Sequence, residues 1–292
     1  MIILLLGPTA IGKTNLSIFL AKKLDAKIIN TDRMAMIKET NIGTAKISEE
    51  EMQGIKHYFI NNLHIDDEYS IYDFQKEGRK ILNELIRNND NVIIVGGSNL
   101  YTKALLYDYK LYEEDKTNDL FDNLSNEELK SLADNLNQND IHKNNRNRLI
   151  RFINSYKNGN KINNEINQKN KPLYDFKIIG LKTDREILYN RINIRVDKMI
   201  EKGLFEEAKG LYEKKYKNLS NIIGYKELIP YFQGQISKET AVDNLKKDTR
   251  RYAKRQMTWL NHQFDNIKWF EVQFNAFDNT KKEVMDYITS LQ

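Results

Sequence analysis

The chain has 292 residues, 40% of them apolar and 30% charged, with a formal net charge of +5. That length supports one or two domains, and the mild positive charge suits a polyanionic partner without demanding one. With no cysteine, disulfides, thiolate nucleophiles and cysteine-ligated metals are excluded, and the histidines at 57, 64, 142 and 262 have no metal-ligand spacing that would hold a structural zinc.

Residues 2 to 6 form a continuous apolar run that ends at Gly7. There is no basic n-region before it, so it reads as a buried strand rather than a signal peptide or membrane span. A helical pattern follows, with Leu16, Phe19, Leu20 and Leu24 on one face. Further apolar stretches at 27 to 30, running into Asp32, and at 92 to 95, running into Gly96 and Gly97, read as strands buried on both faces. Long connections separate them, which favours a parallel α/β sheet. From about 111 to 140 the apolar content thins and acidic residues cluster, as expected of a small helical insertion. The Asn- and Lys-rich stretch 157 to 170 reads as a loop or lid. Residues 176 to 181 offer one more strand, and from Asp184 the pattern is helical almost to the end.

The chemistry gathers at the strand ends. Gly7-Pro8-Thr9-Ala10-Ile11-Gly12-Lys13-Thr14 matches the phosphate loop G-x-x-x-x-G-K-[ST], placed between a strand and a helix as its mechanism needs. Backbone N–H groups and a helix N-terminus would face a di- or triphosphate there, with Lys13 adding charge and the Thr14 hydroxyl able to hold Mg²⁺. Asp32 follows the second strand, at the sheet edge where ligands of open α/β sheets bind; by position alone it can hold a metal, accept a proton or cap a turn. Gly96-Gly97-Ser98 adds flexible backbone and a hydroxyl at that edge. Two basic stretches complete the inventory. One carries Lys143, Arg146, Arg148 and Arg151; the other carries Lys246, Lys247, Arg250, Arg251, Lys254 and Arg255, interleaved with Tyr252 and Trp259. On a helix, Arg251, Arg255 and Trp259 share a face, either to grip phosphate and stack on bases or with the aromatics packed inward.

Taken together these residues resemble the tRNA dimethylallyltransferase (tRNA isopentenyltransferase) family of the bacterial type. The match runs through Gly7 to Thr14, Asp32, Ile42-Gly43-Thr44-Ala45-Lys46, Tyr69-Ser70 with Phe74, Gly96-Gly97-Ser98 with Leu100-Tyr101, and Ile141-His142 with Arg146 to Arg151. It continues with Arg195-Val196-Asp197-Lys198-Met199-Ile200, Ile223-Gly224-Tyr225-Lys226-Glu227, and Thr249 to Gln256 with Thr258-Trp259. The resemblance implies an α/β fold: a P-loop NTPase- or kinase-like parallel sheet flanked by helices, formed by residues 1–110 and 172–292. Residues 111–171 would be a helical insertion that contacts the tRNA anticodon stem-loop. It implies transfer of a dimethylallyl group from dimethylallyl diphosphate to N6 of adenosine 37 in tRNAs reading codons that begin with U. Diphosphate binding would fall to Gly7, Thr9, Ala10, Ile11, Gly12, Lys13, Thr14 and Arg195, with Mg²⁺ on Thr14. Catalysis would fall to Asp32 as base, with Lys13, Ser98 and Arg195. The tRNA would meet Asp32, Arg33, Met34, Ala35, Ser98, Arg146, Arg148, Arg151, Arg251 and Arg255. A cytoplasmic monomer is expected.

The departures from the family pattern concentrate beside the proposed base. D-S-x-Q-x-Y is here Asp32-Arg33-Met34-Ala35-Met36-Ile37. Ala35 cannot make the hydrogen bonds by which the family's glutamine reads the target adenosine, a loss of about 1–3 kcal/mol. Ser98 keeps the hydroxyl of the family's threonine, Asn99 replaces a glycine, Ile47 a proline, and Asn145 the Asp of P-N-D-x-x-R. Two other readings are an adenylate isopentenyltransferase acting on free nucleotide, which needs neither the insertion nor the basic helix, and a paralogue that binds tRNA with weakened catalysis.

Overall fold

A computed structural model of the protein describes residues 1–111, 121, 123–136, 141–157 and 171–291. Its strands are β1 (Ile2–Leu6), β2 (Ala26–Asn30), β3 (His57–Tyr58), β4 (Asn91–Val95), β5 (Lys177–Lys182) and β6 (Lys268–Glu271). They form one six-stranded sheet in the order β3-β2-β4-β1-β5-β6, and every pairing is parallel. The helices are α1 (Lys13–Leu24), α2 (Glu49–Met52), α3 (Ile71–Arg87), α4 (Asn99–Leu106), α5 (Asn126–Asn135), α6 (Arg146–Lys157), α7 (Arg185–Glu201), α8 (Leu204–Glu213), α9 (Ile229–Phe232), α10 (Lys238–Gln263) and α11 (Phe277–Thr289).

The alternation of side chains along β1 builds both layers. Ile3 and Leu5 join Leu16 and Leu20 of α1, Leu188 and Ile192 of α7, and Val284 and Ile288 of α11. Ile2, Leu4 and Leu6 join Phe74, Leu82 and Leu85 of α3, Leu105 and Leu106 of α4, and Leu260 at the end of α10. Each such side chain taken out of water contributes about 1.5–3 kcal/mol. This two-sided burial is why the strands read as continuous apolar runs.

The α/β architecture, β1, β2, β4 and β5 are as the sequence predicts. Two strands were not expected. β3 is only two residues long and pairs with β2 through Ile28 and Ile29. β6 interrupts the C-terminal region expected to be helical; it is an edge strand on β5, with only Phe270 buried. At its contact, Gly180 leaves room for Trp269, since a Cβ there would lie 2.5 Å from the indole ring.

A third cluster packs the loops after β2 and β3 against the C-terminal helices, joining Ile37 and Ile65 to Leu204, Leu211, Tyr225 and Leu245. Within the expected insertion, α5 and α6 share a small core of their own, with Leu129, Ala133, Leu149 and Ile153 fully buried. Part of the acidic stretch, 112–120, and nearly all of the expected lid, 158–170, lie outside the described residues. No helix among the described residues is long and apolar enough to cross a membrane.

Candidate active site

Because β2, β4 and β1 are neighbours and run parallel, the loops that follow them meet at one edge of the sheet. They line a cleft of ≈ 470 Å³ with Lys13, Asp32, Gly97, Arg195, Tyr252 and Gln256 on its walls.

The phosphate loop is shaped by its glycines. Gly12 has φ +103° and starts α1. Gly7 has φ +147°, and a Cβ on it would lie 2.8 Å from the Leu181 carbonyl. Lys13 folds back on the loop, its ammonium donating to the Gly7 and Pro8 carbonyls at 2.8 Å each. Burial pulls that ammonium down to about 7 despite the opposing pull of Asp32. Thr14 is exposed at the start of α1 and lines the cleft.

Asp32 stands across the cleft. Asn30 fixes its backbone: the Asn30 side chain accepts from the Asp32 N–H at 3.0 Å and donates to the Asp32 carbonyl at 2.9 Å. The carboxylate caps a 3₁₀ turn, accepting from the Met34 N–H at 3.0 Å. Burial raises its proton affinity, opposed by the Met34 N–H, by Lys13 and Arg195, and by the Gly97 N–H. A carboxylate of raised affinity beside two cations is equipped to take a proton from an incoming nucleophile. Arg195 of α7 reaches in with Nη1 3.3 Å from Thr9 Oγ1 and Nη2 3.4 Å from the Thr44 carbonyl. Ser98 Oγ accepts the Arg33 N–H at 3.1 Å, tying the loop after β4 to the loop after β2.

The structure thus brings Gly7 to Thr14, Asp32, Ser98 and Arg195 to one edge of the sheet. Ala35 lines the cleft, and its N–H donates to the Asp32 carbonyl at 3.1 Å. Arg33 lies with its guanidinium 5.9 Å from the Tyr69 ring centroid, and its Nη1 is buried with no hydrogen-bond partner. Met34 is half-buried in the third cluster.

The basic segments divide by role. On α10, Lys246 pairs with Asp197 at 2.6 Å and Arg250 donates to Asn193 at 2.6 Å, both tying α10 to α7. Arg251, Lys254 and Arg255 are exposed, with Arg251 3.3 Å from Asp248 and Arg255 5.9 Å from the Tyr252 ring. Trp259 turns inward, 5.7 Å from Phe264, so the inward-packed reading holds for that residue. In α6, Arg146 donates to the Leu124 and Phe121 carbonyls at 2.6 and 2.7 Å, holding the small core together. Arg148 is exposed. The side chain of Arg151 lies outside the described residues.

Sequence reasoning missed the supports of the Ile42 to Lys46 segment. The Glu207 carboxylate of α8 accepts the N–H groups of Asn41, Ile42 and Gly43 at 3.2, 2.9 and 3.0 Å. Tyr225 donates to the same carboxylate at 2.5 Å and accepts from Gly43 N–H at 3.1 Å. This knot fixes Thr44, and through its carbonyl Arg195. Tyr225 sits in a recognisable motif; Glu207 lies in an ordinary amphipathic helix with no signal. Glu207→Ala leaves these donors without their charged acceptor and is expected to lower stability by about 2–3 kcal/mol. Chemical denaturation checks this; an unchanged unfolding free energy would show that water replaces the carboxylate without cost.

A strand, glycine loop and helix facing a buried carboxylate, with an arginine closing from a third element, define a phosphate-loop α/β protein. More narrowly, the chain belongs to the IPP transferase family, whose model matches residues 35–263. It is 42% identical to the tRNA dimethylallyltransferase of Enterococcus faecalis, over 98% of this chain and 97% of that one. Among solved structures it is similar to the tRNA delta(2)-isopentenylpyrophosphate transferase of Staphylococcus epidermidis, with 38% identity, a TM-score of 0.75, and 100% and 99% of the two chains covered. It is also similar to a eukaryotic dimethylallyltransferase acting on tRNA, with 25% identity, a TM-score of 0.82, and 99% and 79% covered.

Proposed function

We propose that the chain transfers a dimethylallyl group from dimethylallyl diphosphate to N6 of adenosine 37 in tRNAs reading codons that begin with U. The observation that carries this reading is the placement of Asp32 across one cleft from Lys13 and Arg195. A base and a diphosphate cradle face each other there, and the relatives named above act on tRNA.

The adenine N6 forms a bond to C1 of the prenyl group as the C1–oxygen bond breaks. The N6 proton passes to Asp32 and the electron pair leaves with pyrophosphate. The N6 amine is a poor nucleophile, so a positioned acceptor is worth about 10²–10⁴-fold. Lys13 and Arg195 meet the charge that grows on the departing oxygens, where preorganised cations give most. Ser98 holds the Arg33 N–H and with it the turn that Asp32 caps.

Mg²⁺ fits the residues present. No group of three or more His, Cys, Asp or Glu able to hold a metal occurs among the described residues, so a dedicated all-protein cage is not what the cleft offers. Mg²⁺ is commonly held by one or two side-chain oxygens, phosphates and water, and the exposed Thr14 hydroxyl beside the loop suits that. When bound, the ion would neutralise charge on the leaving diphosphate.

The tRNA would lie along α10. Neutralising Lys254 or Arg255 is expected to flatten the slope of log affinity against log salt by about one each; slopes equal to wild type would take this face out of the interface. We read the protein as a cytoplasmic monomer.

Transfer of labelled dimethylallyl from the diphosphate to unmodified tRNA, with Mg²⁺, tests the reading directly. Label is expected in tRNA and absent from AMP, ADP and ATP. Label in free nucleotide alone would make this an adenylate prenyltransferase. Intact tRNA binding with no transfer to any tRNA would make it a binding paralogue.

A further inference from the structure

One buried side chain joins the two halves of the cleft, and it comes from the helix whose exposed face is basic. Gln256 of α10 is 4% exposed. Its Oε1 accepts the Thr9 N–H of the phosphate loop at 2.8 Å, and its Nε2 donates to the Gly97 carbonyl at 2.9 Å. One turn earlier, Tyr252 donates its hydroxyl to the same carbonyl at 2.9 Å. Asn99 at the start of α4 donates to the Gln256 backbone carbonyl at 3.3 Å, so the helix is also held to the loop.

Both contacts reach reacting groups at one remove. Thr9 carries Arg195 on its hydroxyl at 3.3 Å. Gly97 lies against the proposed base, since a Cβ on it would sit 2.6 Å from Asp32 Oδ2. The loops belong to neighbouring strands, β1 and β4, but they are not bonded to each other at these atoms; the amide spans them. An amide presents an acceptor and a donor from one planar group, which is what an N–H on one side and a carbonyl on the other require.

We propose that Gln256 is a positioning residue that clips the diphosphate loop to the loop carrying the base, so that α10 sets the separation of donor and acceptor while its exposed face meets the tRNA. This rests on the function proposed above. Losing the clip frees the Thr9 N–H and removes one of the two donors to the Gly97 carbonyl. Losing Tyr252's hydroxyl removes the other donor and a neighbour of the Gln256 amide, but leaves the Thr9 N–H its acceptor.

Two variants separate these effects. In Gln256→Met, pyrophosphate affinity and the KM for dimethylallyl diphosphate are expected to weaken about ten-fold, the size of one lost hydrogen bond, with kcat reduced as well. In Tyr252→Phe, pyrophosphate affinity is expected to stay at wild type while kcat falls. The tRNA dissociation constant should remain within about two-fold of wild type in both, because the cationic face is unaltered. Pyrophosphate binding by calorimetry needs no turnover, so it also separates this inference from the reaction: wild type that transfers nothing would sink the proposed function, while weakened pyrophosphate binding in Gln256→Met alone would still support the clip. Equal pyrophosphate affinity in Gln256→Met and wild type overturns it, and so do losses of diphosphate and tRNA affinity that move together with the melting temperature in both variants.

Discussion

Replacing Asp32 by asparagine is expected to lower kcat by about 10²–10⁴-fold while leaving the fold intact and the KM for the diphosphate near wild type. Asparagine keeps an oxygen to accept the Met34 N–H and is itself a good cap. On the diphosphate side two effects oppose: Arg195 loses a competing anion, while Lys13 loses the carboxylate that holds its proton affinity up. Stability follows from the direction of the shift. Burial raises the proton affinity of Asp32 in the folded state. Its contribution to stability is therefore complete below the ordinary carboxyl value of about 4 and is lost as pH rises through the raised value. The variant should melt above wild type at neutral pH, with the difference closing below about pH 4. In wild type, kcat/KM should fall on the acid side at a pH above the ordinary carboxylate range, since the base must be ionised. A variant that retains most of kcat, or an acid limb at an ordinary carboxylate pH, would remove Asp32 from the proton transfer.

The first β-strand, phosphate loop and α1 were legible because three independent signals coincide there: an apolar run, glycines where the chain must turn, and a helical stripe. β4 and its Gly96-Gly97 carried two of these signals, the apolar run and the glycines, and the helix after them was not read. β3 was not legible, since two residues that owe their pairing to β2 carry no periodicity of their own. β6 was hidden because an edge strand with one buried side chain looks like amphipathic helix. The stripe of Arg251, Arg255 and Trp259 was drawn by helical spacing alone, but a face spans enough of the helix surface that Trp259 can lean onto Phe264. Gln256 stood inside a recognisable motif without a visible role, because its partners are backbone atoms 247 and 159 residues away. Glu207 is the extreme case. A carboxylate on an exposed-looking helix turn gives no hint of the loop it holds until that loop is folded against it.

The paired glycines after β4 meet different kinds of neighbour, so the same substitution should act differently at each. A Cβ on Gly96 would lie 2.4 Å from the Thr31 carbonyl carbon and 2.5 Å from the Asp32 nitrogen. Those are backbone atoms of the adjoining loop, which cannot rotate away. Gly96→Ala should therefore cost stability, about 1–3 kcal/mol or more as overpacking does, together with activity. A Cβ on Gly97 meets Asp32 Oδ2 at 2.6 Å and Gln256 Nε2 at 3.3 Å; the amide need give only slightly, and the carboxylate is a side-chain end that can turn away at the cost of its place in the cleft. Gly97 has no positive φ to forbid alanine. Gly97→Ala should thus fold with a melting temperature near wild type yet lose about 10²-fold in kcat, since a displacement of the order of 1 Å at a reacting group is worth that much. Melting curves and single-turnover transfer measured on the two variants together decide the matter. If Gly97→Ala retains wild-type kcat, the carboxylate does not need the position that Gly97 gives it; if it loses stability as Gly96→Ala does, the loop is rigid at both positions and its effect on rate says nothing separate about the base.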